Sequence, residues 1–456
     1  MSLTLADISR ALAPAPGMPG REYILNGASS TDVFRLSGSI AAWHERGNRR
    51  RRPLCLGTSS KPVLMAAILA SLNCGPDLVL PASLTERVIA ETCTLTGASA
   101  VLTDSPQELP PGIQTFSPHT DETAVPRWRL QRKFREPFLF LYTGGSTGAP
   151  KLWPKTPANL IGEALNLRQV FGIRKQDILL STVPPLHIYG LLFSVLLPFV
   201  AGARVSNDMP YFPREISAAL DRTKATVFIG SPMHYRALSA SSFRTKHLRQ
   251  AFSSGGFLEE SHSLHFTNAT GAGVSEIYGS TETGGIATRC RAQGQAAWQP
   301  FSCIRWAVIR DRLAVASPFL SPNLRLNKQG FFTTGDIASD PGDGTFVLHG
   351  RADGIIKIGG KRVDLTAIEQ KIKSLSGIED AWVLPLSSRP GREHDIAALV
   401  VTGKPILMLR KIFARVLEPT HVPRRIIRVP SLPTTPSGKR DRQAADALLA
   451  QSAGSS

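Results

Sequence analysis

Residues 138–142 read Phe-Leu-Phe-Leu-Tyr, and the chain then runs into Thr-Gly-Gly-Ser-Thr-Gly-Ala-Pro-Lys. An apolar run of this length that stops at glycines predicts a strand ending in a tight loop. Comparable short runs occur at 54–57, 100–103, 225–230 and 250–254, with helical stretches such as 62–73 between them. Strands that alternate with helices predict α/β layers built on a largely parallel sheet. The most apolar stretch, 188–205, is interrupted by Pro198, Gly202 and Arg204, so it reads as a buried core helix rather than a membrane span.

The pattern changes near Gly350. A turn rich in Gly and Asp at 340–344 precedes it. Beyond it, short strands at 381–386, 396–401 and 425–429 alternate with helices at 365–374 and 405–417. That is the content of one compact α+β unit. The expected organisation is a large layered α/β domain over 1–350 and a small, mobile α+β domain over 351–456, with the boundary at 351–353. A chain of 456 residues is too long for one ordinary core, which fits two domains.

Hydrophobic residues make up 42% and charged residues 19%, an ordinary globular balance. The net charge of +18 is unusual and points to an anionic partner, which nucleic acid, a nucleotide, coenzyme A or an acidic protein would each satisfy. The densest basic run, 46–52, suits a solvated surface or a partner site. Cys55, Cys74, Cys93, Cys290 and Cys303 are odd in number and form no C-x-x-C pair, which argues against a disulfide framework or a zinc site and for a reducing, cytoplasmic setting. The N-terminal residues lack a long apolar core and make a poor signal peptide.

Five segments carry chemistry. In Tyr142-Thr-Gly-Gly-Ser-Thr-Gly-Ala-Pro-Lys151 the glycines free backbone N–H groups to converge on an anion, while Thr143, Ser146, Thr147 and Lys151 add hydroxyls and a charge. The Walker spacing is absent, and a serine/glycine surface loop has the same composition. In Tyr278-Gly-Ser-Thr-Glu-Thr-Gly-Gly285 a carboxylate sits among hydroxyls and suits Mg²⁺ shared with phosphate; a capped turn explains it equally well. In Thr334-Gly-Asp336 the Asp suits ribose hydroxyls. The fourth segment runs Gly350-Arg-Ala-Asp-Gly-Ile-Ile-Lys-Ile-Gly-Gly-Lys-Arg-Val363 and leads to Ile368-Glu369. The fifth is Leu432-Pro-Thr-Thr-Pro-Ser-Gly-Lys439, whose lysine sits on a flexible loop or is an ordinary exposed side chain.

The order and spacing of all five resemble the acyl-adenylate-forming family, which includes acyl- and aryl-CoA ligases, adenylation domains of peptide synthetases, and luciferases. The resemblance spans residues 138–442. It implies that Thr143, Gly144, Gly145, Ser146, Thr147, Gly148 and Lys151 hold the phosphates of ATP. It places Ser254, Gly255 and Gly256 on the adenine side with Tyr278, followed by Gly279 and Ser280. Thr281 would contact the α-phosphate, Glu282 would bind Mg²⁺, and Asp336 and Arg351 would fix the ribose. Asp353 would be the hinge, Gly360 would line the tunnel for a thiol arm, and Lys439 would bridge the substrate carboxylate and the α-phosphate. His187 and Tyr189, in Pro184-Pro-Leu-His-Ile-Tyr-Gly190, would line the acid pocket; packed core side chains are the other reading.

The chain departs from the family in places. It is short before the phosphate loop and between 289 and 331, and Ala367 stands where the family has the first Glu of Glu-Ile-Glu. Leu152 replaces the glycine after the loop lysine, and the Gly-Glu-Leu segment appears only as Arg312-Leu-Ala-Val-Ala-Ser-Pro318. The compact chain is similar to the AMP-ligases of aryl polyene and xanthomonadin-type pigment pathways, which implies a hydroxybenzoate-like acid and an acyl carrier protein as thiol acceptor. A CoA ligase shares the first half-reaction. A nucleic-acid-binding protein on a ligase scaffold suits the charge, but Lys439, Glu282 and Asp336 argue against it.

Overall fold

A computed structural model describes residues 4–13, 20–46, 52–73, 75–104, 109–120, 128–143, 151–241, 243–351, 355–358, 361–386, 395–435 and 438–451. The chain divides into two compact units. The first comprises 1–145, 149–306 and 315–332; the second comprises 146–148, 307–314 and 333–456. The second unit thus takes in residues well before 351. The basic positions 47–51, the loop residues 144–148, Asp353 and Gly360 lie outside the described residues.

Two sheets organise the first unit. One has the order Gln114–Phe116, Ala100–Leu102, Leu54–Leu56, Leu78–Leu80, Leu139–Thr143 and Lys151–Lys155. Its first five strands are parallel and the sixth runs antiparallel. The other has the order Gln299–Pro300, Gly284–Cys290, Val274–Ser280, Gln250–Ser253, Val227–Gly230, Ile178–Ser181 and Arg204–Val205. It is parallel from Val274–Ser280 to Arg204–Val205 and antiparallel at the other edge. The expected largely parallel sheet is therefore two sheets, each finished by antiparallel pairing. Several strands are buried along their whole length, as strands covered on both faces must be.

Helix Pro157–Phe171 shows how local sequence fixes an element. Thr156 and Asn159 form a reciprocal capping box, Pro157 occupies the first turn, and Gly172 closes the helix with φ of 59°. The stretch 188–205 is not one helix. An α-turn Ile188–Leu191 passes through a π-turn Leu192–Leu196 to a helix Leu197–Ala201, then Gly202 turns the chain into strand Arg204–Val205. Pro198 has no N–H to continue the regular ladder, and the π-turn ahead of it absorbs the irregularity. Every residue of 188–205 is buried except Ile188 and Arg204, as in a core helix.

A four-stranded sheet of Arg305–Ile309, Arg312–Ala316, Phe332–Ser339 and Val347–Arg351 takes most of its residues from the second unit. A hairpin Ile355–Ile358 and Lys361–Asp364 leads into helix Leu365–Lys373, capped by the Asp364 carboxylate. Strands Asp380–Leu386, Asp395–Val401 and Arg425–Arg428 form a three-stranded sheet packed on that helix and on helix Ile406–Val416. No helix of the described residues is long and apolar enough to cross a membrane. Cys55, Cys93, Cys290 and Cys303 are free thiols.

Candidate active site

Strands Leu139–Thr143 and Lys151–Lys155 pair in a register that sets Thr143 opposite Lys151. The glycine-rich residues 144–150 are therefore the connection of a hairpin, and the exposed Lys151 stands where that connection ends. The register fixes both ends of that connection.

The second sheet gathers another group at the carboxyl ends of its parallel strands, where α/β sheets bind ligands. Ser253 lies opposite Gly230 on one side and Glu276 on the other. The chain then turns at Gly255, whose φ of 87° suits glycine, and Ser254 donates its hydroxyl hydrogen to Ile277 O over 2.8 Å. Residues 254–256 are thereby tied beside Tyr278. The Tyr278 ring is half-buried and lies 5.4 Å from Trp298. Trp298 is in turn covered by the Arg289 guanidinium at 4.2 Å, and Arg289 makes two 2.9 Å hydrogen bonds to the buried Glu276 carboxylate. Trp298, Arg289 and Glu276 drew no attention in the sequence. The alternation of Glu276 and Tyr278 along one strand was the available signal.

The turn after Tyr278 closes tightly. A Cβ on Gly279 would meet Gly284 O at 2.2 Å, so only glycine fits there. Ser280 and Thr283 bond each other reciprocally: the Ser280 N–H donates to Thr283 Oγ1 at 3.1 Å and the Thr283 N–H to Ser280 Oγ at 3.3 Å. Thr281 and Glu282 form the half-buried tip. Among the described residues no group of three His, Cys, Asp or Glu side chains could hold a metal ion by itself. A single carboxylate among hydroxyls nonetheless fits Mg²⁺, which takes one or two protein carboxylates and fills the rest of its shell with phosphate oxygens and water.

Tyr189 is buried and donates its hydroxyl hydrogen to Gly230 O at 3.1 Å, with its ring 4.9 Å from Phe193. Burial raises its hydroxyl pKa well above the usual value, so it stays a neutral donor. His187 precedes the first turn of Ile188–Leu191 and is half-buried. The Gly230 bond attaches Tyr189 to the same strand edge as 254–256. A cavity of about 510 Å³ in the first unit, lined by Phe134, Arg135, Thr156, Cys303 and Leu324 among others, involves none of the candidate residues.

The second unit holds the remaining candidates. Asp336 pairs in register with Arg351, and its N–H donates to Thr334 Oγ1 at 3.1 Å. Lys439 is exposed on a turn in which the Thr435 N–H donates to Lys439 O at 2.6 Å and Gly438 takes φ of 77°. The next residue anchors that turn: Arg440 donates to both Glu369 oxygens, at 2.8 and 2.6 Å. Glu369 belongs to the Ile368-Glu369 segment singled out in the sequence, and its structural task is to hold the lysine turn.

Comparison with known proteins matches residues 62–318 to the AMP-binding enzyme family. A dimodular nonribosomal peptide synthase of Bacillus subtilis (strain 168) is 25% identical over 86% of this chain, which spans 16% of that protein. The sulfoacetate–CoA ligase of Cupriavidus necator is 25% identical over 67% of this chain, which here spans 66% of the relative. Among solved structures, ATP-bound MatB from Rhodopseudomonas palustris superposes with a TM-score of 0.81 at 20% identity, covering 97% of this chain and 98% of that one. A benzoate CoA ligase from Burkholderia xenovorans LB400 gives 0.76 at 21% identity, with 96% and 99% covered. The fold is that of these ligases, and the chain belongs to the AMP-binding enzyme family.

Proposed function

We propose that the protein activates a carboxylic acid with ATP, forming an acyl-adenylate and pyrophosphate, and then transfers the acyl group to a thiol. The observation that carries this reading is the convergence of 254–256, Tyr278 and the tip with Thr281 and Glu282 at one edge of one sheet. Tyr278 flanks the adenine, Thr281 contacts the α-phosphate, and Thr143, Ser146, Thr147 and Lys151 hold the phosphates. Asp336 and Arg351 fix the ribose. Mg²⁺, bound through Glu282, would neutralise charge on the polyphosphate. Lys439 draws the substrate carboxylate to the α-phosphate and offsets the repulsion between two anions. The small domain, turning at Asp353, excludes water from the adenylate and then brings Gly360 to the path of the thiol.

The acid we propose is aromatic and hydroxybenzoate-like, with His187 and Tyr189 at its pocket. The acceptor we propose is the phosphopantetheine thiol of an acyl carrier protein. A CoA acceptor is the second reading, favoured by the CoA ligases among the relatives. ATP–pyrophosphate exchange across aromatic and aliphatic acids tests the first step. Mass spectrometry of products from holo-carrier protein and free CoA offered together tests the second. No exchange with any acid would reject the activity, and acyl-CoA as the only product would replace the carrier protein by CoA.

A further inference from the structure

Helix Pro157–Phe171 follows directly on the strand that begins at Lys151. Its Asn159 and Glu163 are four residues apart and so share a face. Asn159 Nδ2 donates to Pro318 O at 2.9 Å and to Leu320 O at 3.1 Å. The next residue along that segment, Ser321, donates its N–H to Glu282 O at 2.8 Å. On the other side of the tip, Glu163 Oε1 accepts the Gly285 N–H at 2.6 Å. The approach is close enough that a Cβ on Gly284 would lie 2.6 Å from Glu163 Oε2. One helix thus holds the chain at Gly285 directly and at Glu282 through residues 318–321.

Glu163 is 3% exposed, and Lys155, at 1%, carries a positive charge that acts on both Glu163 and Glu282. Burial raises the Glu163 pKa, with the Gly285 bond and Lys155 opposing the shift; burial likewise lowers that of Lys155. A buried carboxylate that costs free energy to keep needs a task at its site, and the hydrogen bonds name it.

We infer that Glu163 is a positioning residue for the tip with Thr281 and Glu282, with Asn159 as the second hold and Lys155 as the counter-charge, and that this clamp sets the affinity for metal-bound ATP. The inference rests on Glu282 as the metal ligand. Groups that orient a metal-binding side chain typically account for about 10–100-fold in metal affinity.

The test uses the full chain and calorimetric titration with ATP, with and without Mg²⁺, and with AMP in chelator, beside KM values from pyrophosphate exchange. Glu163→Ala is expected to weaken Mg²⁺-dependent ATP binding about 10–100-fold, while AMP affinity without metal and KM for the acid stay near wild type. Glu163→Gln, which keeps the acceptor oxygen for Gly285, is expected to recover most of the loss. If the alanine variant fails to fold, Lys155→Met with Glu163→Leu removes both buried charges at similar volume, which cores tolerate far better than one unpaired charge. The same selective loss is expected there. Wild-type Mg²⁺ dependence in folded Glu163→Ala or in the double variant, or equal weakening of AMP and Mg²⁺–ATP, overturns the clamp. Glu282→Gln is the reference. If it leaves Mg²⁺ dependence intact, the metal-ligand reading fails and the clamp with it; if it abolishes the dependence while the Glu163 variants do not move it, the clamp alone fails.

Discussion

Lys439 closes the Thr435–Lys439 turn. It is exposed, and the turn beneath it is held by backbone bonds and by Arg440 on Glu369. Lys439→Ala should therefore leave the protein folded and lower adenylation on the order of 10²–10³-fold, the usual loss for one preorganised charge-stabilising donor. Thioester formation from supplied acyl-adenylate should fall much less, and unchanged pyrophosphate exchange would remove Lys439 from the mechanism. His234 makes the opposite case, a side chain set by structure. Its Nδ1 accepts the Ser231 N–H at 3.2 Å and lies 2.7 Å from the Ser231 hydroxyl oxygen, and burial lowers its pKa to about 4. The folded pKa lies below the unfolded one, so the unfolded chain takes up the proton first and stability falls as pH drops from about 6.5 towards 4. Between pH 7.5 and 5 the native protein should lose about 2 kcal/mol through this residue. Urea unfolding of wild type and His234→Gln at both pH values checks it: the variant should show a smaller drop, and equal drops would contradict the assignment.

At the scale of elements, the hairpin of Val274–Ser280 and Gly284–Cys290 carries Tyr278 and, at its turn, Thr281 and Glu282. Its lower part is locked by Glu276, which also accepts from Arg291 Nε at 3.1 Å. Removing one partner of a buried ion pair leaves its charges unsatisfied and typically costs about 3–5 kcal/mol. Glu276→Ala should destabilise the first unit by that order, with denaturant unfolding as the measure. Because Arg289 then loses its hold over Trp298, KM for ATP should also rise in whatever protein remains folded. A loss under about 1 kcal/mol would show that the pair behaves as a surface bridge.

Across the whole molecule the question is where the positive charge is available. From 404 to 442 there are ten Lys and Arg residues against Glu418 and Asp441. Several are already committed within the fold. Arg424 pairs with Asp395, Arg425 donates to Leu449 O, Arg440 binds Glu369, and Arg442 pairs with Asp446. Helix Ile406–Val416 instead exposes Arg410, Lys411 and Arg415 beside Ile406, Leu407 and Met408, and contains no acidic residue. If the acceptor is an acidic carrier protein, this face should steer it. Arg410→Glu with Lys411→Glu should raise KM for carrier protein severalfold and flatten its salt dependence while leaving KM for ATP nearly unchanged. An unaltered KM for carrier protein would place docking elsewhere.

The sequence by itself determined the elements and the kinds of residue at the site. Apolar runs gave the strands, and glycines fixed turns whose backbone no other residue suits. These are local properties, readable from neighbours along the chain. Thr281, Glu282 and Tyr278 stood out as candidates for the same reason, since they lie in one short segment. The antiparallel strand Lys151–Lys155 was not, because its exposed and half-buried residues lack the apolar run of a central strand. The π-turn was not either, since the apolar pattern of 188–205 suits a regular helix equally well. Only the tertiary structure decided that Glu163, 122 positions from Gly285, would accept the Gly285 N–H beside the turn of Thr281 and Glu282. It alone decided that Arg440 would reach Glu369, and that Arg424 and Arg425 would meet Asp395 and the Leu449 carbonyl. Hydrogen bonds and ion pairs between distant segments depend on which elements meet, and no local pattern in the chain encodes that meeting.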